Sequence, residues 1–341
     1  MFSPQIRVLI IDDSAIARNT LSRILETDPE IEVVGTAPDA LIGLRKIAEC
    51  SPDVLTLDVE MPKMDGLTFL ERLMSTRPMP VVMVSAYTSE GSETALKALD
   101  LGALEIIEKP RIDVSSGLKE LALQITDKVK AAAQAKLKSP QQRFQKQHLR
   151  NSHNQLAHSE LKKISHSPSI IAIGASTGGT DSLREILAEL SADLPGILIV
   201  QHMPKAFTPS FAKSLDRVSQ IDVKEAISGD RVKGGLAMLA PGDQHLTLKR
   251  DLHGYFVELT DEPLVNRHRP SVDILFESIS KCAGGDALGI LLTGMGSDGA
   301  KGLLGMKQKG AWTIAQEENT CVVYGMPRVA VELGATREIL T

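Results

Sequence analysis

Cysteine is scarce in this sequence, and long apolar runs are missing. The three cysteines, Cys50, Cys282 and Cys321, lie far apart and form no CxxC pair, which argues against a disulfide framework and against a zinc knuckle. No stretch approaches the roughly 18 apolar residues that a membrane helix needs. The N-terminal residues MFSPQIRVLIIDDS have the short apolar run of a first strand, without the features of a signal peptide. We therefore expect a monomeric cytoplasmic protein that is not inserted into a membrane.

The sequence also lacks the net positive charge that is typical of nucleic-acid-binding proteins. Its 341 residues carry a formal net charge of -5, unevenly distributed as -7 over residues 1–130, +6 over 131–168 and -4 over 169–341. A chain of this length is expected to form two domains. We place a first domain at 1–137, a linker at 138–168 and a second domain at 169–341.

The basic middle segment has the composition of a linker. It is rich in Gln and holds four histidines, His148, His153, His158 and His166, with few large apolar residues. Such a segment cannot bury enough surface to offset the entropy of ordering. Two other interpretations stay open: a nucleic-acid arm, although the charges do not alternate with aromatic residues, and a metal site, although the histidine spacing fits no pair on one helix face. We expect no nucleic-acid partner.

The first domain alternates short β-rich runs with amphipathic helical stretches, which is the pattern of a doubly wound parallel sheet. Apolar residues recur at helical spacing between the strands, as in Ala17, Leu21 and Ile24. We predict five strands, at Arg7–Ile11, Glu32–Gly35, Val54–Leu57, Val81–Val84 and Glu105–Ile107. Five βα units in about 130 residues predict a flavodoxin-like α/β fold.

Polar side chains follow the predicted strands, at the sheet edge where ligands bind in such folds. Asp12 and Asp13 follow the first strand, Asp58 the third, Ser85 the fourth and Lys109 the fifth. A single aspartate at such a place would be better explained as a helix cap. Three converging carboxylates need a cation, and their hard oxygen ligands suit Mg²⁺. The ammonium and the hydroxyl opposite them would bind phosphoryl oxygens.

With the segment LTLDVEMPKMDG around Asp58, these residues make the first domain resemble the receiver domains of two-component response regulators. The resemblance implies that Asp58 accepts a phosphoryl group from a histidine kinase, as a carboxylate nucleophile. It also implies that Asp12 and Asp13 help to hold Mg²⁺. Ser85 and Lys109 would then contact the phosphoryl oxygens.

Two positions depart from the best-known single-domain receivers. Glu60 lies two residues after the phosphoacceptor, and Ile106 stands where an aromatic switch residue is common. Both positions bear on how long the phosphoryl group lasts and how the domain switches, so the resemblance leaves those two properties open.

The second domain opens with another βα unit. A strand at Ile170–Ile173 is followed by the glycine-rich turn GASTGG and by a helix with Leu183, Ile186 and Leu190 on its apolar stripe. DNA binding would need an Arg- and Lys-rich surface, whereas this domain is net acidic. We predict a second doubly wound α/β domain with hydrolytic chemistry, in which the alternating segments around Gly254 add an antiparallel hairpin.

The glycine-rich turn has three interpretations. As a dinucleotide fingerprint it has Ser176 where the middle glycine is required, and no acid ends the next strand. As a P-loop it lacks the GK[ST] ending. As GxSxG at a strand-to-helix turn, it is a nucleophile elbow that presents the Ser176 hydroxyl at the sheet edge. A purely structural turn explains it equally well unless a base and an acid lie nearby.

His202 is the first candidate for the base. It ends the next predicted strand, Ile197–Val200, so it reaches the same sheet edge as the serine. Three other histidines are more simply surface residues: His245 begins an alternating strand that we expect to be exposed, His253 lies in a hairpin turn, and His268 lies in a basic loop. His268 could also touch substrate.

Asp298 is the candidate acid. It lies just past the predicted strand Leu288–Leu292, in the glycine-flanked loop TGMGSDG. The alternative is that it only caps the helix predicted at Ala300–Gln308. Together with Ser176 and His202 it forms a plausible triad in which the serine attacks, the histidine moves the proton and the aspartate orients the imidazole.

The segments GASTGGTDSL, IVQHMP, LAPGDQHL, NRHRPSVD and LTGMGSDGA resemble the catalytic domain of the chemotaxis protein-glutamate methylesterases. The resemblance implies hydrolysis of glutamyl γ-methyl esters, and deamidation of selected glutamines, on the cytoplasmic helices of chemoreceptors. Ser176, His202 and Asp298 match the family's triad, and no cofactor is needed for the ester chemistry. The family places an oxyanion-hole donor near Met295, and the elbow's geometry offers the Thr177 N–H as a second.

Two points of regulation and recognition follow as hypotheses. Arg267 and Arg269 either steer the acidic receptor surface toward the cleft or form a solvated basic loop. We expect the unphosphorylated receiver to pack over the Ser176 cleft and phosphorylation of Asp58 to shift the population toward an open form. A non-enzymatic regulator that only binds receptors, and a general esterase, are the rival interpretations.

Overall fold

The computed structural model describes residues 4–86, 89–110, 118–137 and 168–341. No helix in these ranges is both long and apolar enough to span a membrane. The linker predicted at 138–168 lies outside the described residues apart from its last residue. Its extent, and with it the domain boundaries, therefore stay predictions.

The first half of the chain folds into a parallel sheet with helices on both faces. Its strands are β1 (Ile6–Ile11), β2 (Ile31–Ala37), β3 (Val54–Asp58), β4 (Val81–Ser85) and β5 (Glu105–Glu108). Its helices are α1 (Ala15–Leu25), α2 (Ala40–Cys50), α3 (Gly66–Thr76), α4 (Ser89–Leu101) and α5 (Leu118–Gln134). The strand order is β2-β1-β3-β4-β5 and all neighbours are parallel. This order confirms the predicted flavodoxin-like fold.

The pleat of each strand divides the apolar residues between two cores. In β1, Val8 and Ile10 pack with Leu21 of α1 on one face, and Leu9 and Ile11 join the core on the other. All five strands lie within two residues of their predicted positions. They were predictable because strands covered on both faces are nearly continuous apolar runs.

The second half folds into a seven-stranded parallel sheet and a separate hairpin. Its strands are β6 (Ile170–Ala175), β7 (Gly196–Gln201), β8 (Asp222–Glu225), β9 (Leu236–Leu239), β12 (Ala287–Leu291), β13 (Trp312–Gln316) and β14 (Glu338–Leu340). The strand order is β14-β13-β12-β6-β7-β9-β8, and the pairs are parallel. Between them, β10 (His245–Asp251) and β11 (Gly254–Thr260) form the antiparallel hairpin. The predicted second α/β fold is confirmed.

Five α-helices of this half follow the strands and cover the sheet. They are α6 (Gly179–Glu189), α7 (Thr208–Asp216), α8 (Val272–Cys282), α9 (Ala300–Gln308) and α10 (Met326–Glu332). The strands β8, β9, β13 and β14 were not predicted. They have only three to five residues, and so short a run cannot be assigned to a strand by its periodicity alone.

The two halves pack against each other at the carboxyl edge of the larger sheet. Helix α4 of the first half contacts α6 and α7 of the second, and Asp100 at the end of α4 accepts a hydrogen bond from Arg184. Past the end of α5, the Lys136 N–H donates to the Val322 carbonyl at 2.9 Å. The β5–α5 face of the first half therefore lies directly over the loops in which the triad candidates were predicted.

Candidate active site

Ser176 lies at the carboxyl end of β6, the central strand of the larger sheet. Its N–H donates to the Thr293 carbonyl at 3.0 Å, and its carbonyl accepts from the Gly179 N–H at 2.7 Å, which closes a tight strand-to-helix turn. Gly178 has a φ of 78°, in the left-handed region that favours glycine, and a side chain at this position would also collide with Val322. The turn thus requires glycine at this position, and it presents Ser176 at the start of α6.

The sheet order brings the two other triad candidates to the same edge. Strand β7, which ends just before His202, pairs with β6 on one side, and β12, which precedes Asp298, pairs with it on the other. His202 and Asp298 are both buried. The imidazole Nε2 of His202 lies 2.8 Å from Oδ2 of Asp298, so the carboxylate fixes the ring orientation and the proton on Nε2.

The Asp298 carboxylate accepts a dense set of further hydrogen bonds. Ser271 Oγ and Asn266 Nδ2 donate to its Oδ1, each at 2.7 Å. The backbone N–H of Val272 donates to Oδ2 at 2.6 Å, and that of Asp273 reaches Oδ1 at 3.3 Å. Both N–H groups belong to the first turn of α8, where the helix dipole favours an anion. Burial alone would raise the pKa of Asp298, but the hydrogen bond and charge of His202 together with these donors hold it well below its usual range.

The alternative prediction, that Asp298 only caps the helix that follows it in the sequence, is therefore wrong. Helix α9, which follows Asp298 in the sequence, has Gly299 at its N-cap and no side-chain cap. The carboxylate instead receives the first N–H groups of α8, a helix that begins 26 residues earlier in the chain. This contact could not be read from local sequence, because it depends on how the β12 loop packs beside α8.

The nitrogen of His202 that faces away from Asp298 is available to accept a proton. Nδ1 is buried and forms no hydrogen bond with any described residue. No hydrogen bond joins Ser176 Oγ to His202 in the described part of the chain, yet both residues line one cavity of about 620 Å³. Catalytic hydrogen bonds are often loose without substrate, so a substrate in this cavity would lie between the serine and a histidine whose free nitrogen is Nδ1.

The proposed oxyanion donors lie at the same cavity. Thr177 and Met295 both line it, and neither backbone N–H donates to an acceptor among the residues described. Gly294, just before Met295, approaches Ser176 so closely that a Cβ there would lie 2.7 Å from the Ser176 Cβ. Two N–H groups are thus available beside the serine, as an oxyanion hole requires.

The three other histidines of the second half lie in three different environments. His253 is exposed in the β10–β11 turn, as predicted. His245 is fully buried, so its predicted exposure is wrong: its Nδ1 accepts from the Ser271 N–H and its Nε2 lies 3.0 Å from the Pro263 carbonyl. The alternation that suggested a solvated strand instead buries His245 and Leu246 against α8. His268 stacks on the ring of His202, with centroids 3.7 Å apart and planes inclined by 13°.

The two arginines of the basic loop have different partners. Arg269 binds the Asp243 carboxylate at 2.6 Å and the carbonyls of Asp261 and Glu262, so it holds its own loop together. Arg267 points to the first half of the chain, where its Nη1 lies 3.2 Å from Oδ1 of Asp127 on α5. Both arginines line the cavity, but Arg269 is held by partners near its own loop, whereas Arg267 meets an acidic residue of the first half.

The first half of the chain forms one wall of the cavity. Gln124, Asp127 and Lys128 of α5 line it opposite the triad candidates. Glu105, buried at the start of β5, accepts hydrogen bonds from the Thr177 hydroxyl and from Lys128 Nζ. The residue next to the candidate nucleophile is thus hydrogen-bonded to the first half of the chain.

The predicted phosphoacceptor site is assembled at the carboxyl edge of the smaller sheet. Asp12 and Asp58 are buried and Asp13 is exposed, and one carboxylate oxygen of each lies within 4.8 Å of the others. Lys109 Nζ lies 2.7 Å from Asp58 Oδ2 and 3.0 Å from Asp12 Oδ2. Ser85 is buried at the end of β4, and its carbonyl accepts from the Lys109 N–H at 2.8 Å.

The charges of this cluster fit a divalent cation. Burial raises the pKa of Asp58 to about 6 and is reinforced by the charge of Asp12, although the hydrogen bond from Lys109 opposes it. Burial also raises the pKa of Asp12. Two buried carboxylates with a single ammonium between them gain from a second cation, and an all-oxygen donor set suits Mg²⁺.

The structure also shows where the two residues lie that depart from common receiver domains. Glu60 is exposed two residues after the phosphoacceptor, and Ile106 is a buried residue of β5 whose side chain packs in the core. The structure therefore gives Ile106 a core-packing role.

Sequence reasoning missed four supporting residues. Asn266 and Ser271 were noted only within the segment NRHRPSVD, although both donate to Asp298. Glu105 was noted only as the first residue of a predicted strand, and Lys128 was given no role. A polar residue on the expected buried side of β5 was the available signal for Glu105, but only the tertiary structure reveals its partner Thr177.

Comparison with known sequences identifies relatives along the whole chain. The model of the CheB methylesterase family matches residues 171–341, and that of the response regulator receiver domain matches residues 8–119. A protein-glutamate methylesterase/protein-glutamine glutaminase of Geobacter metallireducens is 50% identical over 339 residues, covering 99% of this chain and 93% of that protein. One from Pseudomonas aeruginosa is 48% identical over 335 residues, covering 98% and 93%.

A solved structure resembles the second half of the chain. The crystal structure of the Thermotoga maritima CheB methylesterase catalytic domain is 40% identical, with a TM-score of 0.50, and the match covers 51% of this chain and 93% of that domain. The glycine-rich elbow, the β10–β11 hairpin and the Asp298 loop all lie within residues 171–341, which the family model matches.

Proposed function

This chain belongs to the CheB methylesterase family and carries a response regulator receiver domain, and from that premise we propose that it is a phosphorylation-regulated protein-glutamate methylesterase. Its substrates are glutamyl γ-methyl esters on the cytoplasmic helices of chemoreceptors, and it also deamidates selected glutamines there. The observation that carries the catalytic assignment is the buried contact of 2.8 Å between His202 and Asp298 beside the cavity that Ser176 lines.

Acylation follows from this geometry. Ser176 Oγ attacks the ester carbonyl carbon as its proton passes to Nδ1 of His202, the nitrogen that has no partner among the described residues. The resulting imidazolium is stabilised by Asp298, whose donors from α8 keep it ionised. The N–H groups of Thr177 and Met295 stabilise the negative charge that develops on the carbonyl oxygen.

Collapse of the tetrahedral intermediate breaks the bond to the methoxy group, which takes the proton from His202 and leaves as methanol. Water then attacks the acyl-enzyme with His202 as the base, releasing glutamate and restoring Ser176. A glutamine side chain follows the same path with ammonia as the leaving group. One site therefore accounts for both esterase and glutaminase activity without a cofactor.

The receiver controls access to this site. In the packed arrangement α5 walls the cavity, and Glu105 and Asp127 hold Thr177 and Arg267 of the catalytic half. A receptor helix needs the space that α5 occupies. Phosphorylation of Asp58 by a histidine kinase shifts the population toward a separated arrangement, and the linker keeps the two halves at high local concentration.

Asp12, Asp13 and Asp58 are the residues that would hold Mg²⁺. When bound, the ion neutralises the charge on the transferred phosphoryl group. Lys109, which contacts Asp12 and Asp58, is placed to bind a phosphoryl oxygen once Asp58 carries the group, and Ser85 lies at the same sheet edge. Asp58 Oδ is the attacking atom.

The catalytic assignment is tested with Ser176→Ala in the full chain. Methanol release from methylated receptor, measured with a small phosphodonor and Mg²⁺, should fall to background, because the variant lacks the oxygen assigned to the attack on the ester carbonyl. Ser182→Ala, on helix α6, which follows the turn of Ser176, and outside the cavity lining, is the control and should retain full activity. Retained esterase activity in Ser176→Ala would show that the nucleophile is wrong.

The same assay separates the rival functions. A protein that only binds receptors would release no methanol in any form. A general esterase would hydrolyse small esters but leave methylated receptor helices intact. Methanol release from receptor that depends on both Ser176 and Asp58 supports the proposed function against both.

A further inference from the structure

His268 is the closest aromatic neighbour of the proposed base, and the triad mechanism gives it no role. Its ring lies parallel to that of His202, with centroids 3.7 Å apart and 13° between the planes. It also lines the cavity that contains Ser176. A loop histidine in this position needs an explanation, because a solvated side chain would not be held face to face with a buried ring.

The turn that carries His268 is fixed to the triad at a second point. Val265 and His268 exchange backbone hydrogen bonds of 3.1 and 2.9 Å, so Asn266 and Arg267 form a two-residue turn, with φ 52° and 70°. Positive φ at two consecutive residues other than glycine is unfavourable and persists only where the surroundings require it. Here the Asn266 amide donates to Asp298 at 2.7 Å. One turn therefore holds the acid through Asn266 and the base through His268.

The stack matters most when His202 becomes charged. In the proposed mechanism His202 is an imidazolium while Ser176 is being acylated. A neutral aromatic face attracts a cation and restricts the plane of its ring, whereas a second charged ring at 3.7 Å would repel it. Burial lowers the pKa of His268 well below its ordinary value, and the charges of His202, Lys128 and Arg267 act in the same direction against the opposing Asp298.

We propose that His268 is a positioning residue for the reaction: its neutral ring holds the imidazole of His202 in the plane that directs Nδ1 toward Ser176, and it stabilises the imidazolium that forms there. The proposal rests on the assignment of Ser176, His202 and Asp298 under the proposed function. Its distinctive requirement is a flat, uncharged ring at position 268, with no need for a nitrogen atom.

Three substitutions in the full chain separate this role from others. In methanol release from methylated receptor, with phosphodonor and Mg²⁺ present, His268→Ala should lower kcat by roughly tenfold, the size expected for loss of an aromatic pair, with KM changed by less than about twofold. His268→Phe keeps a flat ring and should recover kcat to within about threefold. His268→Lys places a permanent charge beside the base and should be at least as slow as His268→Ala.

Two controls show that the variants are folded and that histidine loss alone is harmless. His253→Ala, an exposed turn residue of the same half, should match the unmodified chain. Each variant should also retain its thermal unfolding midpoint within a few degrees of that of the unmodified chain.

The outcomes are distinguishable. The inference is overturned if His268→Ala keeps its kcat, if its defect lies in KM alone, which would make His268 a substrate contact, or if His268→Phe is as slow as His268→Ala. If Ser176→Ala remains active, the proposed function itself fails. An inactive Ser176→Ala together with fully active position-268 variants would refute only the role of His268.

Discussion

Two buried aspartates at the ends of parallel strands, Asp58 in the receiver half and Asp298 in the catalytic half, have opposite acid–base behaviour. Asp58 has one ammonium partner, Lys109, and a neighbouring carboxylate, and its pKa is raised to about 6. Asp298 accepts from a histidine, a hydroxyl, an amide and two helix N–H groups, and its pKa is held well below the usual range.

The difference teaches that the donors around a buried carboxylate decide its chemistry. Asp58 is poorly satisfied, so it is suited to gain a cation and to act as a nucleophile toward phosphorus. Asp298 is saturated with donors, so it stays an anion and serves to orient and stabilise His202. The same residue type at the same kind of sheet edge thus serves as a reacting group in one half and as a fixed support in the other.

The largest expected effect is on catalysis. Asp298→Asn should lower kcat for methanol release by about 10³- to 10⁴-fold, because the amide cannot stabilise the imidazolium and favours the wrong tautomer of His202. Asp58→Asn, assayed without phosphodonor, should leave the basal rate unchanged. If the two variants have equal basal rates, the contrast between the two carboxylates is wrong.

The next effect concerns activation. In the unmodified chain a small phosphodonor with Mg²⁺ should stimulate methanol release, and coupling between two sites is typically worth about 5- to 150-fold. Asp58→Asn should abolish the stimulation entirely, since the acceptor oxygen is lost. Chelation of Mg²⁺ should have the same result in the unmodified chain. Persistent stimulation in Asp58→Asn would place the phosphoacceptor elsewhere.

Stability should respond to pH in opposite directions at the two sites. Folding lowers the pKa of Asp298, so its stabilisation is present above the unfolded value of about 3.9 and is lost as the pH falls through the lower folded value. Asp298→Asn should therefore lower the free energy of unfolding at pH 7 by about 3–5 kcal/mol, and this difference should shrink in acid. Folding raises the pKa of Asp58 to about 6, so the folded protein binds that proton more tightly and loses stability as the pH rises through 4 to 6.

Asp58→Asn should consequently be more stable than the unmodified chain by about 1–2 kcal/mol at pH 8. At pH 4 it should have no such advantage. Urea unfolding of both variants at several pH values, with EDTA present to remove divalent cations, measures the two trends. Parallel pH profiles for Asp58→Asn and Asp298→Asn would contradict the account.

The smallest effect concerns the contact between the halves. Asp127→Ala removes the ion pair with Arg267, and partly exposed pairs contribute up to about 1 kcal/mol. The basal rate without phosphodonor should rise by no more than about fivefold. Glu49→Ala, which removes an exposed ion pair within α2, is the control and should change nothing. An unchanged or lower basal rate in Asp127→Ala would mean that this pair does not hold the closed arrangement.

Much of the fold was predictable because its strands are apolar runs bounded by polar residues. The strands that carry Ser176, His202 and Asp298 were located within one or two residues, and parallel strands place their carboxyl ends at one edge. The shared location of the three side chains therefore followed from sequence. The short strands β8 and β14, with half-exposed or exposed residues, gave no comparable signal.

What sequence could not supply was contact between distant segments. Three contacts join residues that lie 25 to 72 positions apart. They are the stack of His268 on His202, the binding of Asp298 to the start of α8, and the hydrogen bond from Thr177 to Glu105. His245 shows the same limit: its alternating strand suggested exposure, but packing of the hairpin against α8 buries it. The periodicity of a strand predicts which of its faces is apolar, but it does not predict which helix or loop packs on that face.

The central claim is that the receiver covers the Ser176 cavity until Asp58 is phosphorylated. Amide hydrogen exchange of the full chain, with and without a phosphodonor and Mg²⁺, tests it most directly at residues 176–178, 265–268 and 124–131. The account predicts faster exchange in all three segments on phosphorylation, together with higher methanol release, and no change in Asp58→Asn. Unaltered exchange at these segments while methanol release rises would contradict it.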